Sequence, residues 1–140
     1  MRRLAVLGAL LLTLLGCASP AATPVIREVR IDDVPWRVIE APPDGMRGQL
    51  GFGEADGMLF DMGGPTDPDA VVFVMDSVAI PLDIAWFGAD GRLLGVAGMS
   101  PCVDPVCPRF RAPGPFRWAV EAPPGTFDAL PDDARLDVPD

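Results

Sequence analysis

Histidine, lysine, tyrosine and asparagine are absent from all 140 residues. Without His the chain has no imidazole to serve as a general base or a metal ligand, and without Lys no amine for a Schiff base. Catalysis would have to be built from Asp, Glu, Arg, Ser, Thr and Cys, which argues against an enzyme. Positive charge is scarce too: 11 Arg face 20 Asp and Glu, the formal charge is −9, and no basic run follows Arg3. Such a chain is poorly suited to neutralise nucleic-acid phosphates or anionic lipid headgroups. Two Cys without a His supply too few ligands for zinc. Met46, Met58, Met62, Met75 and Met99 read as adaptable core filler before they read as a copper site, which wants Met grouped with His or Cys. The glycine-rich "GFGEADG" lacks the Lys and the following helix of a phosphate loop. No cofactor and no nucleic-acid partner are expected.

What is present starts with an address. "MRRLAVLGALLLTLLGC" sets two Arg before an apolar core, Leu4 to Leu15, that is too short to span a bilayer and has the charge and length of a secretory signal. "LLGC", Leu14 to Cys17, is similar to the lipobox of bacterial lipoproteins, in which the Cys is lipidated and becomes the mature N-terminus. The expectation is a lipoprotein signal over residues 1–16 and a tether over 17–25, rich in Ala, Pro and Thr. One domain over 26–140 follows. Loss of Arg2 and Arg3 with the signal carries the formal charge two further, from −9 to −11. Ala18, in place of Asp, implies by the same resemblance the periplasmic face of an outer membrane, so the membrane is a partner through the lipid. Lipidation of Cys17 leaves Cys102 and Cys107 as an even pair. In an exported protein the short, Pro-containing "CVDPVC" loop is expected to close as a disulfide.

From residue 26 onward the pattern is strand and turn. "IREVRIDDVPWRVIEA" alternates and turns at Asp32-Asp33, as a hairpin does. "GMLFDM" is a short strand, and "AVVFVMDSV" and "DIAWFGAD" are apolar on both faces, as in strands covered on both sides. "ADG", Ala89 to Gly91, is a tight turn into "RLLGVAGM". "FRWAVEA" sets Phe116, Trp118 and Val120 against Arg117, Ala119 and Glu121, and "ARLDV" is a last strand. Seventeen Pro and fifteen Gly fit many short strands and turns, and no amphipathic helix of ordinary length occurs. The expected fold is mainly β, a small closed barrel or sandwich-like single domain. One or two short helical turns are expected, at Asp44–Leu50 and after Gly125.

Asp83 is the most informative polar residue, because it heads a buried strand, and an unpaired buried charge costs several kcal/mol. It reads first as an architectural acceptor for the Ile80–Leu82 backbone, the Ser77 hydroxyl or an Arg. Met75, Asp76, Ser77 and Asp83 are together the candidate ligand-binding residues. A hydrolase-like enzyme using Asp83 with Asp76 or Ser77 is the alternative. Trp36, Trp86 and Trp118 would be saccharide platforms if exposed, but lie in apolar strand patterns that favour core packing.

The order "RGQLGF", "DGMLFDM", "VFVMDSVAIPLDIAWFGADGRLLGV", "PCVDPVC", "WAVEAPPG" resembles the family known as domain of unknown function 192, over roughly residues 27–139. "GMLF", "IPLDI" followed by "ADG", and "VEAPPG" carry the likeness. It implies a compact, mainly-β domain with a short helix near residues 46–50, and no established enzymatic activity. The chain departs from the family pattern at Gly48-Gln49-Leu50, where Gly-Leu-Met and then Arg are usual. It departs again at Val74-Met75-Asp76-Ser77-Val78, where Trp-Met-Lys-Asn-Thr is usual, so a basic position is acidic here. The function expected is non-enzymatic binding of a small ligand, a saccharide among the candidates, or of an envelope partner.

Overall fold

The structure is a computed structural model and describes residues 23–140. The expected signal peptide over residues 1–16 and the expected tether from Cys17, up to residue 22, lie outside the described residues. Nine strands follow in order: β1 (Ile26–Ile31), β2 (Val34–Glu40), β3 (Gly57–Thr66), β4 (Phe73–Val74), β5 (Leu82–Phe87), β6 (Leu93–Met99), β7 (Arg109–Phe110), β8 (Phe116–Ala122) and β9 (Leu136–Asp137). Seven of them form one sheet in the order β6-β5-β8-β3-β2-β1-β9, and β4 and β7 pair separately. The fold is mainly β, as the strand and turn pattern predicts. The large sheet curls into a half-barrel whose edge strands approach each other through an isolated bridge, Arg92 to Arg135.

The β1–β2 hairpin turns through Asp32 and Asp33, both left-handed at φ 50° and 66°. This is the conformation a two-residue hairpin loop demands and Asp tolerates. β5 is buried at all six positions, because β6 and β8 flank it and both faces are covered. One face packs Met58, Leu82, Ile84, Trp86 and Ala119 beneath Met46, Phe52, Phe73, Met75 and Val78. The other packs Val29, Ile31, Val38, Leu59, Ala85, Phe87, Trp118 and Val120 with Phe127 and Leu136. Each large apolar side chain so buried contributes about 1.5–3 kcal/mol, and the two layers account for the doubly apolar strands of the sequence.

Three expectations change. No helix forms among the described residues. Residues 42–49 instead make successive turns closed by bonds such as Gly45 N–H to Pro42 and Gln49 N–H to Met46. Left-handed Gly45 and Gly48 (φ 55° and 70°) interrupt any helical run there. The segment after Gly125 is likewise a set of turns, with Leu130 N–H donating to Phe127. "AVVFVMDSV" contributes only the two-residue β4, which pairs with β7 rather than with the main sheet. It is apolar because it forms a lid over the first core layer.

Gly91 shows why the tight turn must be glycine. Its φ is +80°, and a Cβ there would stand 2.3 Å from the Leu136 carbonyl oxygen. Leu136 N–H donates to Gly91 O at 2.8 Å, and Leu93 N–H donates to Ala134 O at 2.9 Å. The turn between β5 and β6 is thereby clipped to the approach to β9, where the half-barrel edges meet.

Candidate functional site

β8 lies between β3 and β5, and Glu121 is paired with Met58 on one side and Ile84 on the other. Directly opposed residues share a face of the sheet, so this carboxyl projects into the apolar layer containing Met58 and Ile84. Gly57 makes room for the backbone: a Cβ there would meet the Glu121 carbonyl oxygen at 2.5 Å. Glu121 is only 6% exposed. Its carboxyl has no side-chain hydrogen bond and no ion pair among the described residues. Burial pushes its pKa up to about 7, since the charged form loses hydration that nothing replaces.

The carboxyl opens into a cleft of about 350 Å³ lined by Met46, Phe60, Met62, Val71, Phe73 and Val78, with Asp44 and Arg47 also on its wall. Phe60 and Phe73 meet edge to face, their centroids 5.3 Å apart and planes at 89°. At the rim Arg47 pairs with Asp76 at 3.5 Å, and the Ser77 hydroxyl donates to Asp76 Oδ1 at 3.4 Å. Ser77 is left-handed at φ 60°, and its carbonyl accepts Gly48 N–H at 3.1 Å, which holds the rim turns together. The Arg47–Asp76 pair is half exposed, so it orders the rim more than it stabilises the domain.

The four sequence candidates divide. Asp76 and Ser77 sit at this rim, and Met75 is buried below it in the same apolar layer. Asp83 is held elsewhere: alternation along β5 turns it with Ala85 and Phe87, and Oδ2 accepts the Gly125 N–H at 2.7 Å. The expected donors from Ile80–Leu82, Ser77 and Arg are not the ones it uses. A hydrolase-like pairing of Asp83 with Asp76 or Ser77 therefore has β5 between its members.

Trp86 and Trp118 are buried, and half-buried Trp36 stacks on Phe127 with centroids 5.7 Å apart. Trp86 and Trp118 thus offer no free face to a sugar, while Trp36 lines a separate shallow cleft with Val34, Pro35 and Pro123, away from Glu121. The sulfurs of Cys102 and Cys107 lie at disulfide distance with Cα atoms 5.6 Å apart, as their pairing predicts. Cys102 bridges to Asp76, so this loop adjoins the rim. A larger cleft of about 600 Å³ runs past Val25, Ile39 and Phe52. Its charged lining residue, Glu40, is exposed and already pairs with Arg27 at 3.7 Å, and its lining Gln49 donates to the Gly45 carbonyl, so it holds no buried, unpartnered charge like Glu121. Among the described residues no group of three or more Cys, Asp or Glu is placed to hold a metal ion.

Glu121 is the residue that reading the sequence misses. Alternation groups it with Arg117 opposite Phe116, Trp118 and Val120, which suggests a solvent face. The available signal was Ala119, a small apolar residue between them on that same face, beside a segment that carries family likeness.

Fold and site together define a small half-barrel domain with a buried acid beneath an apolar cleft. The chain belongs to the DUF192 family, described as uncharacterized ACR, which it matches over residues 40–134. Among solved structures it is similar to a protein of unknown function from Novosphingobium aromaticivorans. The two share 23% identity at a TM-score of 0.68, over 86% of this chain and 94% of that one. It is also similar to a candidate transcription regulator from Sinorhizobium meliloti, at 19% identity and TM-score 0.67, over 84% of this chain and 97% of that one. At these identities the likeness concerns the fold alone. No curated protein matches the chain.

Proposed function

We propose that this is an exported protein, anchored by a lipid on Cys17, whose domain binds a small ligand in the Glu121 cleft without transforming it. One observation carries the binding reading. A carboxyl that is 6% exposed and has no partner among the described residues faces an apolar cleft. A group so placed costs the fold stability, and natural proteins tolerate such costs mainly at functional sites. Mostly apolar walls with a few placed polar groups, here Glu121 with Asp44 and Arg47, are the usual make-up of a small-molecule site. Acid–base catalysis usually sets two groups of different pKa against one substrate, and the rim carboxylate Asp76 is already committed to Arg47. Binding is therefore favoured over chemistry. The saccharide version is less favoured, because no Trp lines the Glu121 cleft.

The test is a small-molecule library screened for a raised melting temperature, followed by the fluorescence of Trp36, Trp86 and Trp118 in the purified mature protein. Compounds that stabilise the wild type and fail on a cleft-filling Val71→Trp variant support the site. A library that stabilises neither, or both equally, overturns it.

A further inference from the structure

We propose that the ligand of the Glu121 cleft is a small organic ammonium cation, an inference that rests on the binding reading above. Three features of the cleft converge on that class. Its innermost polar group is an acid, and the neighbours of Glu121 on β3 and β5 are Met58 and Ile84, so the sheet supplies no counter-charge. The charged groups facing the cleft besides Glu121 are Asp44 and Arg47. The Arg47 guanidinium is paired with Asp76 at 3.5 Å, so the charged groups of the lining are two acids, Glu121 and Asp44, and one cation that already has an anionic partner. Two aromatic rings, Phe60 and Phe73, stand at right angles in the same wall. Aromatic faces attract alkylated ammonium groups through the ring quadrupole, and a nearby carboxylate completes such a cage.

The rest of the lining, Met46, Met62 and Val78, suits the methyl and methylene groups of an alkylammonium and offers nothing to a ligand rich in hydroxyls. At about 350 Å³ the cleft is at the small end for ligand sites. The formal charge of −9 draws cations toward the surface.

Binding carries a proton balance. Where Glu121 is protonated, the incoming cation replaces its proton: the carboxylic acid and the ammonium give a carboxylate–ammonium pair and one released H⁺. A quaternary ligand has no proton of its own to lose, so its affinity must fall as the carboxyl becomes protonated. With the Glu121 pKa at about 7, affinity should drop roughly thirtyfold between pH 8 and pH 5.5 by linkage.

Titration calorimetry on the mature protein decides the matter, with choline chloride as probe. Its neutral isostere, 3,3-dimethylbutan-1-ol, and the anion 3,3-dimethylbutanoate serve as shape-matched controls. The expected result is binding of choline that weakens at low pH, affinity for the isostere at least tenfold lower, and loss of choline binding in Glu121→Gln. Phe60→Leu, which keeps Glu121, should weaken choline severalfold and leave the pH dependence in place, and it serves if Glu121→Gln fails to fold. Equal binding of choline and its isostere, or choline affinity that ignores pH, overturns the inference. So does no choline binding at tens of millimolar. If the isostere or the anion binds instead and Val71→Trp abolishes it, the cleft remains a ligand site and only the cationic class is wrong. Binding of none of the probes, together with a silent library, removes both readings.

Discussion

Asp83 Oδ2 accepts the Gly125 backbone N–H at 2.7 Å, joining the head of β5 to the turn that follows β8, 42 residues later. The carboxylate is 9% exposed and acts as a fixed acceptor for a donor that the β8 turn cannot otherwise satisfy. Asp83→Ala leaves that N–H without its partner. The expected cost is about 1–3 kcal/mol, with Asp83→Asn milder because the amide oxygen keeps the shape of the acceptor. Urea denaturation of the wild type and both variants measures it. Unchanged or increased stability in Asp83→Ala would return the residue to the list of site candidates.

Gly91→Ala should be more damaging than its size suggests. The new methyl meets the Leu136 carbonyl oxygen at 2.3 Å, and φ of +80° is costly for any residue with a Cβ. The Leu136–Gly91 hydrogen bond must shift, loosening the place where β6 approaches β9. A loss of about 2–4 kcal/mol is expected. Amide exchange should concentrate the new mobility at Leu93 and Leu136. A variant as stable as the wild type would show that this contact does not hold the half-barrel together.

The mainly-β fold was legible because local rules decide it: alternation in β1 and β2, Asp32-Asp33 at the hairpin turn, and the doubly apolar Leu82–Phe87. The Cys102–Cys107 pair was legible from an even count and a short loop. The missing helix was not, because Met46 and Arg47 favour a helix locally while Gly45 and Gly48 turn left-handed in tertiary context. Glu121 was hidden for a related reason. Alternation states which residues share a face, and only topology states whether that face is covered. β8 is internal to the sheet, and residues 43–47 and 71–78, distant in sequence, roof it. Asp83 was rightly expected to need a donor, and the donor came from a turn that no local pattern could name.

Cys17 should carry the anchor. Mass spectrometry of the protein extracted from membranes should find a mature N-terminus at Cys17 with acyl mass added, and Cys17→Ser should release the domain into the soluble fraction. A soluble wild-type form beginning after residue 17 would remove the lipid from the proposal and leave the cleft untouched.

The pH dependence of stability tests Glu121 without any ligand. Its carboxyl moves from an ordinary 4.5 to about 7 on folding because burial disfavours the charged form. Between those values the native state holds a proton that the unfolded chain has released. The contribution is therefore fully present below about 4.5 and is lost as pH rises through about 7. That displacement corresponds to about 3 kcal/mol across the window. Glu121→Gln keeps the shape and never ionises, so it does not suffer this loss. Other carboxylates titrate in both proteins and cancel in the difference. Relative to wild type, Glu121→Gln should be near neutral at pH 4.5 and more stable by a few kcal/mol at pH 8.5, as read by urea denaturation at each pH. Stability curves that run parallel over this range would mean the carboxyl is hydrated or paired in solution, and the cleft would lose the buried acid on which its function is argued.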